Sequence, residues 1–160
     1  MTRLAALVAS VVALAQPAWA LSCMSTNVAT DYAYAAASDA AYIVVSGDLF
    51  FDMSKLPDTS KNRTSRMGTS TEIKGWLKGK SLTQEGFTKP FERDVTLRVS
   101  CLGPWCGTIA KGAYLTFLKQ EGRSWVIEVS PCPSLTYADP TPDQESMLLA
   151  CFRGQECIAN

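Results

Sequence analysis

The clearest strand pattern in the chain is DVTLRVSC, residues 94–101. Apolar and polar residues alternate along this segment. The apolar positions are Val95, Leu97, Val99 and Cys101, and the polar positions between them are Thr96, Arg98 and Ser100. Because successive side chains of a strand point to opposite faces, this alternation predicts a half-buried β-strand. A sheet with one apolar face is therefore the expected centre of the fold.

Further strands are predicted on both sides of this one. Residues 42–51 form a β-branched and aromatic run that indicates a buried strand, in which Gly47 suggests a bulge or a sharp bend. Residues 72–80 alternate and would place Trp76 on the wetter face. The runs 113–120 and 124–130 are separated by Glu121-Gly122-Arg123, a turn of hairpin size, and the total is then five strands.

One helix is predicted before these strands and one after them. Residues 27–41 are rich in alanine, with Asp31 early in the segment, where the helix dipole favours a carboxylate. In the second helix Thr141 and Gln144 can form a capping box, and Gly154 would end the helix. Its apolar residues predict a buried stripe made of Met147, Leu148, Cys151 and Phe152. Five strands between two helices fit a small closed barrel, which leaves no free sheet edge.

The composition restricts the chemistry. The chain has 160 residues, enough for one domain, with 15 Lys and Arg against 15 Asp and Glu and no histidine. The absence of histidine excludes Ser-His-Asp and Cys-His nucleophile pairs and histidine-bound metals, and the balanced charge disfavours nucleic acid as a partner. Asp139, Asp143 and Glu145 could serve in acid–base catalysis, but dipole and capping roles explain them. We therefore expect no enzyme and no cofactor.

The first residues have the features of a secretory signal peptide. Arg3 precedes the apolar run 4–15, and the small-residue triplet Ala18-Trp19-Ala20 follows. We expect residues 1–20 to be cleaved and 21–160 to form one domain that is secreted or periplasmic and has no transmembrane segment. An uncleaved anchor helix and a lipid on Cys23 are the alternatives.

The six cysteines are expected to form disulfides if the chain is exported, because an even number of cysteines in an oxidising compartment indicates disulfides. Six cysteines allow 15 connectivities, and the sequence alone does not choose among them. Spacing favours two local pairs and leaves one long-range pair: Cys101 with Cys106, Cys151 with Cys157, and Cys23 with Cys132. The motif Trp105-Cys106-Gly107 lacks the second thiol that a thioredoxin-like site needs two residues after the glycine, where Ile109 stands, so a monothiol redox role would need an unpaired Cys106.

A binding surface is the remaining functional possibility. The candidate aromatics are Trp76, Trp105 and Tyr137, each of which could instead pack at the edge of the sheet, and for Trp105 packing against a disulfide is favoured. The polar segment 52–70 reads as a long exposed loop that carries basic residues, namely Lys61, Arg63 and Arg66. This loop could contact a partner or could be a solvated connection, and its Asn62-Arg63-Thr64 tripeptide matches a glycosylation sequon.

The order of these features resembles the netrin-like module, the OB-fold shared by tissue inhibitors of metalloproteinases and several secreted bacterial proteins. The resemblance is carried by five segments: Cys23, AYIVVSG at 41–47, Cys106-Gly107, YLTFL at 114–118 and WVIEVSPC at 125–132, followed by the C-terminal helix. It implies a mainly β, disulfide-stapled fold, a five-stranded OB-like barrel with an N-terminal and a C-terminal helix. It also implies a bridge between Cys23 and Cys132.

In the inhibitors of this family, a cysteine at the first position chelates the zinc of the protease through its α-amine and carbonyl. Cleavage after Ala20 would instead leave Leu21 and Ser22 ahead of Cys23. We therefore expect an exported, non-enzymatic binding module for a protein or a cell-envelope component. A metalloprotease inhibitor and a monothiol redox protein that uses Cys106 are the alternatives.

Overall fold

The computed structural model describes residues 23–24, 26–58, 69–132 and 135–157. The predicted signal peptide, the loop residues Lys61, Arg63 and Arg66, and the sequon at Asn62 lie outside this part of the chain. The described elements are, in chain order, helix α1 (Val28–Ala37), strands β1 (Tyr42–Phe51), β2 (Ser70–Thr83), β3 (Gly86–Leu102), β4 (Trp105–Cys106), β5 (Gly112–Glu121), β6 (Ser124–Val129) and β7 (Thr136–Ala138), and helix α2 (Pro142–Phe152). A short 3-10 helix, Met53–Lys55, follows β1.

Five strands form a ring through their hydrogen-bonded pairs. Strand β1 pairs with β2, β2 with β3, and β5 with both β6 and β1, all antiparallel. The ring is completed by β3 and β6, which pair in parallel over residues 96–99 and 126–129. The short strands β4 and β7 add to β3 and β5 respectively. The described part of the chain is therefore mainly β with two α-helices, as the sequence predicts.

The interior of the ring is the larger apolar core. The alternation in β3 is confirmed, since Val95, Leu97, Val99 and Cys101 are all buried. Buried residues of the other strands join it, among them Leu49, Ile73, Leu77, Leu118 and Ile127. Each such side chain contributes roughly 1.5–3 kcal/mol by leaving water, so this core is the main stabilising term of the fold.

A second apolar layer lies between the outside of the ring and the two helices. Val44, Leu115 and Phe117 reach outward from β1 and β5 and meet Val28 of α1 and Leu148 of α2. The first half of β1 and the middle of β5 are thus covered on both faces. This double burial explains why residues 42–45 and 114–118 are mainly apolar runs that do not alternate.

The helix ends follow the predicted chemistry. Asn27 caps α1 by accepting hydrogen bonds from the backbone N–H groups of Ala29 and Thr30. Thr141 and Gln144 form the predicted capping box, and Gly154, with φ of 70°, follows the end of α2.

The predicted buried stripe of α2 is correct for Leu148 and Cys151, and Met147 is half-buried. It is wrong for Phe152, which is 36% exposed because the helix is ending there.

Gly47 does not form a bulge. The pairing of β1 with β2 and with β5 runs through Gly47 without a shift of register, and the irregularity of the sheet lies between Ser81 and Leu82. A Cβ atom at Gly47 would lie 2.4 Å from the carbonyl oxygen of Lys78. The glycine is required because two backbones approach closely, and this is the other reason for a glycine inside a strand.

The three disulfides are Cys23–Cys132, Cys101–Cys106 and Cys151–Cys157, which are the pairs that spacing favoured. None of the six cysteines is free. The first bridge ties the segment before α1 to the segment after β6, and the other two close local loops. The unpaired Cys106 that a monothiol redox role requires is therefore not present in the structure.

Candidate functional site

Two aromatic side chains lie side by side on the outside of the ring. Phe50 of β1 and Trp76 of β2 are register partners, and they are 50% and 38% exposed. Their exposure follows from the strand pattern, because Leu49 and Phe51 point into the core and Phe50 must then point outward. Cross-strand partners lie about 4.5–5.5 Å apart at their Cβ atoms, so the two side chains leave neighbouring strands at adjacent points of the same outer face.

Charged side chains of both signs surround this pair. Lys74, Asp94, Asp52 and Lys111 line, together with Phe50 and Trp76, a shallow depression of about 540 Å³. We call these six residues the aromatic face. Asp94 reaches it as the register partner of Trp76 on β3. Hydrogen bonds from Ser54 lower the pKa of Asp52, so that carboxylate is ionised at neutral pH.

The charges of the aromatic face are available to a ligand. Lys74, Asp94 and Lys111 form no ion pair with another described residue, whereas Lys78 further along β2 is bound to Glu92 at 3.4 Å. With two lysines and two aspartates the face is neutral overall. It therefore offers hydrogen-bond donors and acceptors beside an aromatic platform but no net field that would select a strongly charged partner.

The three aromatic residues that the sequence singled out do not share one site. Trp76 belongs to the aromatic face. Trp105 lies on β4 next to the Cys101–Cys106 bridge and is 41% exposed. Tyr137 is half-buried on β7, where it lines a separate cavity of about 350 Å³, and its hydroxyl donates to the Asp31 carboxylate at 2.5 Å. Burial and this contact raise the pKa of Tyr137.

Phe50, Lys74 and Lys111 are members of the aromatic face that the sequence analysis did not identify. The signal for Phe50 was present in LFFD, residues 49–52, since three apolar residues in a strand must place the middle one opposite the other two. No local signal marks Lys111, which reaches the face because β5 pairs with β1 just beyond it. That proximity exists only in the folded ring.

Elsewhere, the prominent charged groups have structural partners. Arg98 binds Glu72, Glu121 and Glu128 at 2.9, 2.8 and 3.2 Å, and Lys119 binds Glu121 at 3.1 Å. We call these five residues the Arg98 cluster. It joins β2, β3, β5 and β6 on the outside of the ring. Its hydrogen bonds raise the pKa of Arg98 and lower that of Glu121 to about 2.

The carboxylates that might have served in catalysis are placed as the sequence suggested. Asp143 and Glu145 lie in the first turn of α2, and Glu145 also accepts a hydrogen bond from the hydroxyl of Ser46 at 2.5 Å. Asp139 is exposed before that helix.

Within the described ranges, no group of three or more Cys, Asp or Glu residues could hold a metal ion. The helices of this same part of the chain are all too short or too polar to cross a membrane.

Comparison with known proteins adds no relative from which a function could be transferred. The chain matches no protein-family model, no curated protein and no solved structure.

Proposed function

We propose that this protein is an exported, non-enzymatic binding module that holds a protein or a cell-envelope component on its aromatic face. The observation that carries the proposal is the exposed Phe50–Trp76 pair, set beside Lys74, Asp94 and Lys111, which have no ion-pair partner among the described residues. Single exposed apolar residues are common, but two large, partly exposed aromatic side chains at directly opposed positions of neighbouring strands present apolar surface that a partner would cover. Aromatic residues are also enriched at binding surfaces.

We propose further that the five-stranded ring is an OB-like barrel of the netrin-like type. The assignment is supported by the number of strands in the ring, by the helices that precede and follow the strands in sequence, and by the Cys23–Cys132 bridge. OB-folds bind along a sheet face that includes their second and third strands and the neighbouring loops. Trp76 and Asp94 lie on β2 and β3, and the segment that joins β1 to β2 starts at Asp52, so the aromatic face agrees with that mode of binding.

The proposed function is tested by measuring retention of the mature protein on cell-envelope fractions and secreted proteins of its source. The variants Trp76→Ala and Phe50→Ala should each reduce retention, because each removes half of the aromatic platform. Tyr34→Ala is the matched control, since Tyr34 is 61% exposed on α1 and does not line the aromatic face. Equal retention of all three variants would argue against this surface.

A metalloprotease inhibitor is the second candidate, and the Cys23–Cys132 bridge is the observation that favours it. A tethered cysteine near the mature N-terminus is what the resemblance to the tissue inhibitors requires. The test compares the chain that begins at Leu21 with a chain that begins at Cys23 against a panel of metalloproteases. An inhibitor of that type should act only when Cys23 is the first residue, because the chelating amine then belongs to the cysteine.

A further inference from the structure

A further cavity, separate from both the aromatic face and the cavity lined by Tyr137, lies between α1 and the hairpin that joins β2 to β3. This helix cleft has a volume of about 590 Å³, and its floor is formed by Val44 and Phe117. Its walls are Ala35 and Ala36 on one side and Leu82 on the other. Clefts that bind small molecules have volumes of about 300–1,000 Å³ and mainly apolar linings, so both its size and its lining are those of a ligand site.

The sequence of α1 explains why the cleft is open. The helix is rich in alanine, and the residues it turns toward the hairpin, Ala35 and Ala36, carry only a methyl group. Longer side chains at these positions would fill the space above Phe117. Alanine favours the helix while leaving this space free, so the same residues form the element and the cavity.

The polar groups at the rim select the chemistry of the ligand. Glu85 and Lys89 both line the cleft, but the Glu85 carboxylate already accepts a hydrogen bond from the Thr83 hydroxyl at 2.8 Å. The Lys89 ammonium forms no ion pair with any residue in the described ranges. Tyr42 also lines the cleft and carries a neutral hydroxyl, whose pKa burial raises further above its ordinary value.

From this arrangement we propose that the helix cleft binds a free single-chain amphiphile with an anionic head group, such as a long-chain carboxylate. The alkyl chain lies on Phe117 and Leu82 and beneath the alanines of α1, where it displaces water from an apolar surface. The head group lies at the rim, within reach of Lys89. The Thr83 hydroxyl does not neutralise Glu85, so the rim is neutral overall, and the preference for an anion rests on direct pairing of the head group with Lys89, which has no ion-pair partner in the described ranges.

The experiment is a calorimetric titration of the mature protein with dodecanoate, below the concentration at which it forms micelles. We expect saturable binding of one dodecanoate per chain. Ala36→Trp should weaken the binding by at least about tenfold, because the indole occupies the space of the alkyl chain. Ala33→Trp is the matched control: Ala33 lies on the same helix, is exposed and does not line the cleft, so this variant should bind as the wild type does.

The role of Lys89 in binding the anionic head group is tested by comparing dodecanoate with the uncharged dodecanol. Lys89→Gln should weaken dodecanoate roughly two- to fivefold, as expected for a partly exposed ion pair, and should leave the binding of dodecanol unchanged. Circular dichroism melting of each variant shows that it folds. The proposal would be overturned if the wild type showed no saturable binding of dodecanoate, or if the two tryptophan variants lost binding equally. It would also be overturned if the wild type bound phosphatidylglycerol vesicles, tested in parallel, and not free dodecanoate. None of the cleft variants alters the aromatic face, so failure here leaves the proposed function untouched.

Discussion

Asp31 illustrates how one residue can have a role that its local sequence does not indicate. Its place in the first turn of α1 agrees with the helix dipole, but its carboxylate is buried and also accepts the backbone N–H of Leu135 at 2.6 Å and the hydroxyl of Tyr137. Leu135 has φ of 62°, a left-handed conformation that a leucine adopts at a cost. The carboxylate therefore holds α1 against a strained segment 104 residues away in sequence.

The replacement Asp31→Asn tests this role. It keeps the shape of the side chain but removes the charge that strengthens the two hydrogen bonds, both of which end on the same carboxylate oxygen, so we expect the free energy of unfolding to fall by about 1–2 kcal/mol. Urea denaturation followed by tryptophan fluorescence measures the change. Asp39→Asn is the control, since Asp39 is exposed just beyond α1. Similar losses for the two variants would show that the buried contacts contribute little.

Glu121 provides a prediction about pH. The hydrogen bonds of Arg98 and Lys119 lower its pKa from 4.5 to about 2 in the folded protein. A lowered folded-state pKa adds stability above pH 4.5, and this stability is lost as the pH falls toward 2. The wild type should therefore exceed Glu121→Gln in unfolding free energy at pH 6, and the difference should shrink steadily between pH 4.5 and 2.

The measurement is urea denaturation of both proteins at several pH values, and low salt is needed because the residue is partly exposed. Glu156→Gln is the control, because Glu156 is exposed and lies outside the Arg98 cluster. A difference between wild type and Glu121→Gln that stays constant from pH 6 to 2 would contradict the assignment.

At the scale of elements, the contact of β1 with β2 depends on a pair of glycines. Gly47 and Gly79 are register partners, and a Cβ atom on either one would lie within 2.4 Å of a backbone atom of the other strand, 2.4 Å for Gly47 and 2.1 Å for Gly79. Backbone atoms held in a ladder cannot move aside as a side chain can. The two strands can therefore approach this closely only because neither residue has a side chain.

Replacing Gly47 with alanine should accordingly destabilise the protein by about 1–3 kcal/mol, as overpacking of a rigid contact does. Gly75→Ala should cost less, since the nearest atom to its Cβ is the flexible end of Leu97. Thermal or urea unfolding of the two variants gives the comparison. A larger loss of stability for Gly75→Ala would show that the backbone contact between β1 and β2 at Gly47 is not rigid.

The elements also show what the sequence can and cannot predict. The cap at Thr141 and the alternation of residues 94–101 were predictable because they are set by neighbours a few positions away. The first part of β3, from Gly86, was missed because it contains Pro90 and several charges and no turn dipeptide precedes it. Trp76 was correctly expected on the wetter face, but its partner Phe50 belongs to β1 and the nearby Lys111 lies just before β5. Such a site is set by pairing over long distances, which local patterns do not contain.

At the scale of the whole molecule, two kinds of constraint hold the two apolar layers together. The ring of strands encloses the larger core by hydrogen bonds, whereas the helices that cover the second layer come from the two ends of the described chain. The Cys23–Cys132 bridge fixes the segment before α1, and the Cys151–Cys157 bridge closes only the end of α2. The bridges should therefore differ in what they contribute to stability.

The chain-entropy model gives the size of that difference. The Cys23–Cys132 bridge closes a loop with a sequence separation of 109, and the Cys151–Cys157 bridge one of 6. Loss of the first should lower the free energy of unfolding by about 5 kcal/mol and loss of the second by about 2 kcal/mol, because a longer loop restricts the unfolded chain more.

Paired replacement by alanine tests this order, since alanine places no hydroxyl in the buried site of Cys151. Guanidinium denaturation should show the larger fall in stability for Cys23→Ala/Cys132→Ala. This variant should also show the larger rise in the slope with denaturant, because its unfolded chain expands and exposes more surface. Equal losses for the two double variants would mean that the long bridge joins segments that already stay together when the protein unfolds. The segments that carry α1 and α2 would then be held on the ring by the apolar layer beneath these helices and not by the covalent link.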